Sequence, residues 1–125
     1  MKPHRSHKKG NAAESVIHGS DNIFADLGFS PREAAELKVK ADLTLQIYQR
    51  IKKLGLTQVR AAQRLGLSQP DVSKLMAGRF TGFSIERLLA LLSTLAVDID
   101  IVIRPQSQER ASRAGTVRVR GVAAA

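Results

Sequence analysis

The apolar positions of this chain fall into five helix-spaced groups followed by one that alternates. The first is brief: in SDNIFADLGFS, Ile23, Phe24, Leu27 and Phe29 stand out from polar neighbours. Ser30-Pro31-Arg32-Glu33 then reads as a capping box with proline at the first helical position. It opens a long helix to about Leu54, with Leu37, Ala41, Leu45, Tyr48 and Ile51 as its stripe and Ile47 and Leu54 alongside. Lys52, Lys53 and Gly55 suit its end, cations on the negative pole and glycine just past it. Thr57 caps a third helix whose spacing predicts a buried stripe of Val59, Ala62 and Leu65. Ser68 caps a fourth, with Pro70 in its first turn and Val72, Leu75 and Met76 turned inward. Ser84 caps a fifth, whose core face is Ile85, Leu88, Leu89, Leu92, Leu95 and Ala96.

The third and fourth helices carry the chemistry. Each is about eight residues, too short to be stable alone, and the tight Leu65-Gly66-Leu67 joint leaves no room for a long connection. Packed on a scaffold, they keep their outward faces for a partner. On the fourth helix those faces hold Gln69, Pro70, Ser73 and Lys74. Glutamine can bond the paired donor and acceptor on an adenine edge, and lysine reaches guanine or phosphate. Gln58, Arg60, Arg64 and Arg79 surround them and suit backbone phosphates, which position a protein without reading sequence. The bland alternative is a helical hairpin with a solvated polar face. Turn glycine, small alanines, paired caps and polar outward positions together favour DNA.

Thr57, Gln58, Ala62, Gly66, Ser68, Gln69, Val72, Ser73 and Gly78 resemble the pattern of the Cro/repressor (Xre-type) helix-turn-helix. The resemblance implies a mainly α, five-helix, lambda-repressor-like domain. It places Gln69, Pro70, Ser73 and Lys74 at base edges and Gln58 at phosphate. The chain departs from the usual pattern at Pro70 and at Met76, where many members carry glutamate.

The last group is of another kind. VDIDIVI, residues 97–103, alternates and is mostly β-branched, which predicts a strand. Val97, Ile99, Ile101 and Ile103 would face the helices and Asp98 and Asp100 the water. A lone apolar edge is an aggregation hazard. Two partners are open to it: the same strand of a second copy across a two-fold axis, or a hidden N-terminal strand such as residues 15–18. The dimer also suits two recognition helices reading a palindromic site.

NIFADLGF, the AAELKVKADL helix, the helix-turn-helix and the closing VDIDIVIRP together resemble HigA-type antitoxins of bacterial toxin–antitoxin pairs, over residues 21–105. That resemblance implies a dimer that represses its own operon and neutralises a HigB-type mRNA-cleaving toxin. By the same resemblance the segment ahead of the core contacts toxin, for which Val16, Ile17, Phe24, Leu27 and Phe29 are the apolar candidates. Packing of Phe24, Leu27 and Phe29 on the chain's own long helix is the other reading, and the two are compatible.

Charge sharpens the picture rather than setting it. The formal net charge is +9, and the cations gather at residues 1–20, around the helix-turn-helix and at 104–125. Such a distribution favours phosphate attraction and steep salt dependence. The expected organisation is a disordered basic tail (1–20), one domain (21–105) holding the helix-turn-helix (57–78) and the dimer strand (97–103), and a second basic tail (106–125). Within that second tail, TVRVRGV alternates weakly and its composition favours disorder. Without cysteine, disulfide and thiolate chemistry are excluded, and a reducing cytoplasm is natural. No apolar run approaches the roughly 20 residues of a membrane span. His4, His7 and His18 lack cysteine or carboxylate at ligand spacing, and no catalytic or nucleotide-binding motif appears, so no enzyme, metal or cofactor is expected. Two other readings stay open: a stand-alone repressor of the same fold, and an RNA-binding or scaffold protein dominated by its tails.

Overall fold

The computed structural model describes residues 22–107 and 114–122 of the 125-residue chain. Val16 and Ile17, the three histidines and the segment 15–18 lie outside the described residues. Five helices form: α1 (Ile23–Asp26), α2 (Pro31–Leu54), α3 (Gln58–Leu65), α4 (Gln69–Met76) and α5 (Ile85–Thr94). None of them is long and apolar enough to cross a membrane.

Each helix starts on a side-chain cap. Asn22, Ser30, Thr57, Ser68 and Ser84 all hold extended backbone angles and accept a hydrogen bond from the first turn. At Ser30 the bond is reciprocal: the Glu33 N–H donates to Ser30 Oγ, and the Ser30 N–H to Glu33 Oε1, both at 3.2 Å. Each such cap contributes about 1 kcal/mol. Asn22 also donates through Nδ2 to the Ala34 carbonyl at 2.8 Å, fastening α1 to the first turns of α2.

The five helices end alike as well. Behind each, an N–H reaches back five residues: Phe29 to Phe24, Leu56 to Ile51, Leu67 to Ala62, Arg79 to Lys74 and Val97 to Leu92. This closure needs a left-handed residue just before it. Glycine fills that place four times, and Ala96, with φ +63°, fills it behind α5. In this closure the residue after the left-handed one usually makes an apolar contact with the helix. Leu56, Leu67 and Val97 do so and pack against the core, whereas Arg79 is exposed.

The core joins α2 to all three later helices. Ile47, Ile51, Val72, Leu75, Leu88 and Leu95 are fully buried, with Val39, Leu43, Ala61, Leu65, Phe83, Leu91 and Leu92 around them. Three details differ from the sequence pattern. On α2 the core face runs through Leu43, Ile47 and Ile51, while Tyr48 is exposed and Leu37 and Leu45 are half-buried. Ala41 and Ile51 of the expected stripe are buried, and so are Ala34, Val39 and Leu43 outside it, so the helix buries more than one face. On α3 the buried face is Ala61, Ala62 and Leu65, and Val59 is 49% exposed at its edge. The alanines are buried because small side chains let α3 and its neighbours approach closely. On α5 Leu91 is buried and Ala96 exposed, because the helix has already ended there.

The expected strand is the main correction. Residues 97–103 leave α5 as irregular chain, and no strand forms among the described residues. Only Val97 packs on the core, while Ile99, Ile101, Val102 and Ile103 are all exposed, Ile103 to 88%. A strand is defined by its ladder, and within one chain this segment finds no second strand. Farther on, Val119 packs against the core, Ala114 accepts a hydrogen bond from Gln106 Nε2 at 3.4 Å, and Gly121 lies against the Gln46 side chain.

Candidate nucleic-acid interface

The interface is built on α4. Val72 and Leu75, exposed to 0% and 1%, lock its inner face into the core, so its rotation about its own axis is set. That rotation leaves Gln69, Pro70, Ser73 and Lys74 exposed together. Ser68 Oγ accepts from the Asp71 N–H at 3.2 Å, and Pro70 lacks a donor where α4 needs none. The Gln69 side chain therefore projects from a capped first turn, where recognition helices commonly touch base edges. Lys74 lies 3.9 Å from Asp71 on the next turn. Both side chains are accessible, so this pair is weak and open to exchange with a phosphate or base.

α3 packs across α4 through its alanine face and presents Gln58 and Arg60 outward. Gln58 is the first helical residue and Arg60 lies two residues on, its N–H donating to Thr57 Oγ1 at 3.1 Å. Arg64 is placed differently. Its Nε donates to the Thr94 carbonyl at 3.3 Å, so this cation sits on the C-terminal end of α5. Carbonyls there lack helical partners and carry partial negative charge, which a guanidinium satisfies.

Arg79 follows α4 directly. Its backbone N–H bonds the Lys74 carbonyl at 2.8 Å, while its side chain is exposed. The loop beyond it is anchored by Phe83, 3% exposed, and by Phe80, whose ring meets Phe24. Arg87, on the first turn of α5, stacks its guanidinium 4.8 Å from the Phe83 ring centroid. This exposed, ring-supported cation beside the motif was not among the residues inferred from sequence. The available signal was a cation in the first turn behind the Ser84 cap, three residues after it and four after an aromatic residue.

At the N-terminal end of α2, Leu27 and Phe29 are 56% and 44% exposed, whereas Phe24 is half-buried between Phe29 and Phe80. Phe29, Leu37, Glu33 and Glu36 line a shallow open groove, apolar at its floor and acidic at its rim. Among the described residues proposed for partner contact, Leu27 and Phe29 are left accessible, while Phe24 is engaged within the fold.

Comparison with known proteins agrees with this geometry. A helix-turn-helix domain family matches residues 23–104. A solved structure described as an XRE-family transcriptional regulator superposes with a TM-score of 0.63 at 41% identity, covering 74% of this chain and 99% of that one. No curated protein sequence matches the chain significantly.

Proposed function

This chain belongs to the XRE-type helix-turn-helix family of DNA-binding regulators, and we propose that it acts as a dimeric antitoxin that represses its own operon. The observation that carries the DNA half is the buried Val72–Leu75 face of α4, which holds Gln69, Pro70, Ser73 and Lys74 outward as one reading surface. In this proposal Gln69 and Lys74 read base edges, Pro70 and Ser73 shape the contact, and Gln58, Arg60 and Arg79 bind phosphates. The sequence pattern also offers Arg64 for phosphate, but its bond to α5 favours a structural role.

The dimer is inferred from the exposed run Ile99, Ile101, Val102 and Ile103, which a second copy would cover. Two α4 helices related by a two-fold axis then suit a palindromic operator. The toxin half rests on the resemblance to HigA-type antitoxins and on the groove at Phe29, Leu37, Glu33 and Glu36. Its acidic rim and apolar floor fit a basic protein presenting an apolar side chain, as a HigB-type mRNA-cleaving toxin would. The role is stoichiometric binding in the cytoplasm, with no cofactor and no catalysis.

Co-expression with the product of the neighbouring gene, followed by mass measurement of the purified species, tests the antitoxin reading. A complex of defined stoichiometry supports it; the absence of any small nuclease-like reading frame beside the gene sinks it. The DNA half is tested separately, by binding to the DNA upstream of the gene and to random duplex of equal length. Equal affinity for the two removes the regulator's sequence preference.

A further inference from the structure

Resting on the DNA-binding reading, we propose that Arg87 is a further phosphate-binding residue, gripping the nucleic-acid backbone from the helix that follows α4. The cations assigned so far, Arg60, Lys74 and Arg79, belong to α3, to α4 and to the chain just behind it. Arg87 stands apart from them, on the first turn of α5, where its backbone N–H donates to Ser84 Oγ at 3.0 Å.

The way its guanidinium is held sets it apart. Phe83 is 3% exposed, and its N–H donates to the Phe80 carbonyl at 3.0 Å, so its side chain and its backbone are both fixed. The Arg87 guanidinium lies over that ring, 4.8 Å from the centroid. A ring attracts a cation through its quadrupole and takes no hydrogen bond in return. Arg87 is thus steadied without spending an N–H donor. Among the described residues its side chain has no hydrogen bond and no ion pair, and it is exposed.

The contrast with the other anchored arginines is plain. Arg64 gives its Nε to the Thr94 carbonyl, and Arg50 gives two donors to the Leu95 and Ala96 carbonyls. Those two serve the fold. Arg87 keeps both its charge and its planar fork, which matches two oxygens of one phosphate. The loop from α4 to α5 holds it beside the reading helix but not on that helix, so its ligand is the backbone that positions rather than the base edge that specifies.

Binding of the full chain to the DNA upstream of its gene, and to random duplex of equal length, is measured from about 50 to 200 mM salt. Arg87→Leu removes the charge and keeps an apolar cover over Phe83. It is expected to weaken both duplexes by the same factor and to lower the slope of log K against log salt by about 0.9, the share of one phosphate. Arg87→Lys, which keeps the charge, restores the slope. Arg32→Leu removes an exposed cation from the first turn of α2 and leaves the slope as it was. Where Arg87→Leu folds poorly by its thermal midpoint, Arg87→Gln carries the same expectation. A wild-type slope in the folded variant, or an equal fall in Arg32→Leu, overturns the phosphate contact while the DNA reading stands. A wild-type chain that binds neither duplex overturns both.

Discussion

The ring of Phe24 meets the ring of Phe80 edge-on, with centroids 6.2 Å apart and planes at 77°. One ring belongs to α1 and the other to the loop that leaves α4, so the first helix helps to hold the segment carrying Arg79. Phe24 makes a second edge-on contact with Phe29 at 6.2 Å. A short chain of rings thus runs from the acidic-rimmed groove to the DNA-facing motif. A double-mutant cycle of Phe24→Leu and Phe80→Leu should return a coupling of about 1 kcal/mol in urea unfolding. Additivity within about 0.3 kcal/mol would show the two rings to be energetically independent.

Base reading and phosphate binding separate by mutation. Gln69→Ala should cost about 1–3 kcal/mol at one base pair of the preferred site and leave random-sequence binding nearly unchanged. Arg79→Ala should weaken binding to every sequence alike and reduce the logarithmic salt slope by about one unit. If Gln69→Ala lowers both affinities equally, that side chain does not read a base.

Arg64 is expected to behave unlike Arg79, because its guanidinium already serves the Thr94 carbonyl. Arg64→Ala should lower folding stability by about 0.5–1 kcal/mol while leaving the salt slope of DNA binding in place. A shallower slope with unchanged stability would move Arg64 to the phosphate-binding set.

Ala96 adopts φ +63°, a region that costs a residue with a Cβ about 1–2 kcal/mol. Ala96→Gly should therefore stabilise the fold by about 0.5–1 kcal/mol, less than the full cost because glycine loses more freedom on folding. A drop in thermal midpoint would show that the alanine methyl group makes a compensating contact.

Much of this protein is local and was legible as such. The caps at Ser30, Thr57, Ser68 and Ser84, the glycines behind α2, α3 and α4, and the inward Val72 and Leu75 are short-range features. Each is satisfied within one turn of chain, so residue type and spacing suffice to find it. The outward set on α4 followed from the same spacing, since burying Val72 and Leu75 leaves Gln69, Ser73 and Lys74 on the other side.

Long-range packing was not legible in that way. Apolar spacing on α2 pointed to a stripe of Leu37, Ala41, Leu45, Tyr48 and Ile51 with Ile47 alongside. Ala41, Ile47 and Ile51 are buried, but the fold adds Val39 and Leu43 and leaves Tyr48 exposed, because the core is completed by α4 and α5. The engagement of Arg64 with Thr94, of Arg50 with Leu95, and of Phe24 with Phe80 joins residues distant along the chain, and no local pattern marks them. The segment 97–103 shows the division most plainly. Its alternation, β-branching and charge are written in the sequence, and they specify a strand in waiting. Whether it becomes one depends on a partner backbone, since a strand's hydrogen bonds, unlike a helix's, are made with another segment. By itself the sequence determined the five helices, the ends of α2, α3 and α4 and the exposed outward face of α4. The tertiary structure alone decided which faces the core took and left Ile99, Ile101 and Ile103 bare.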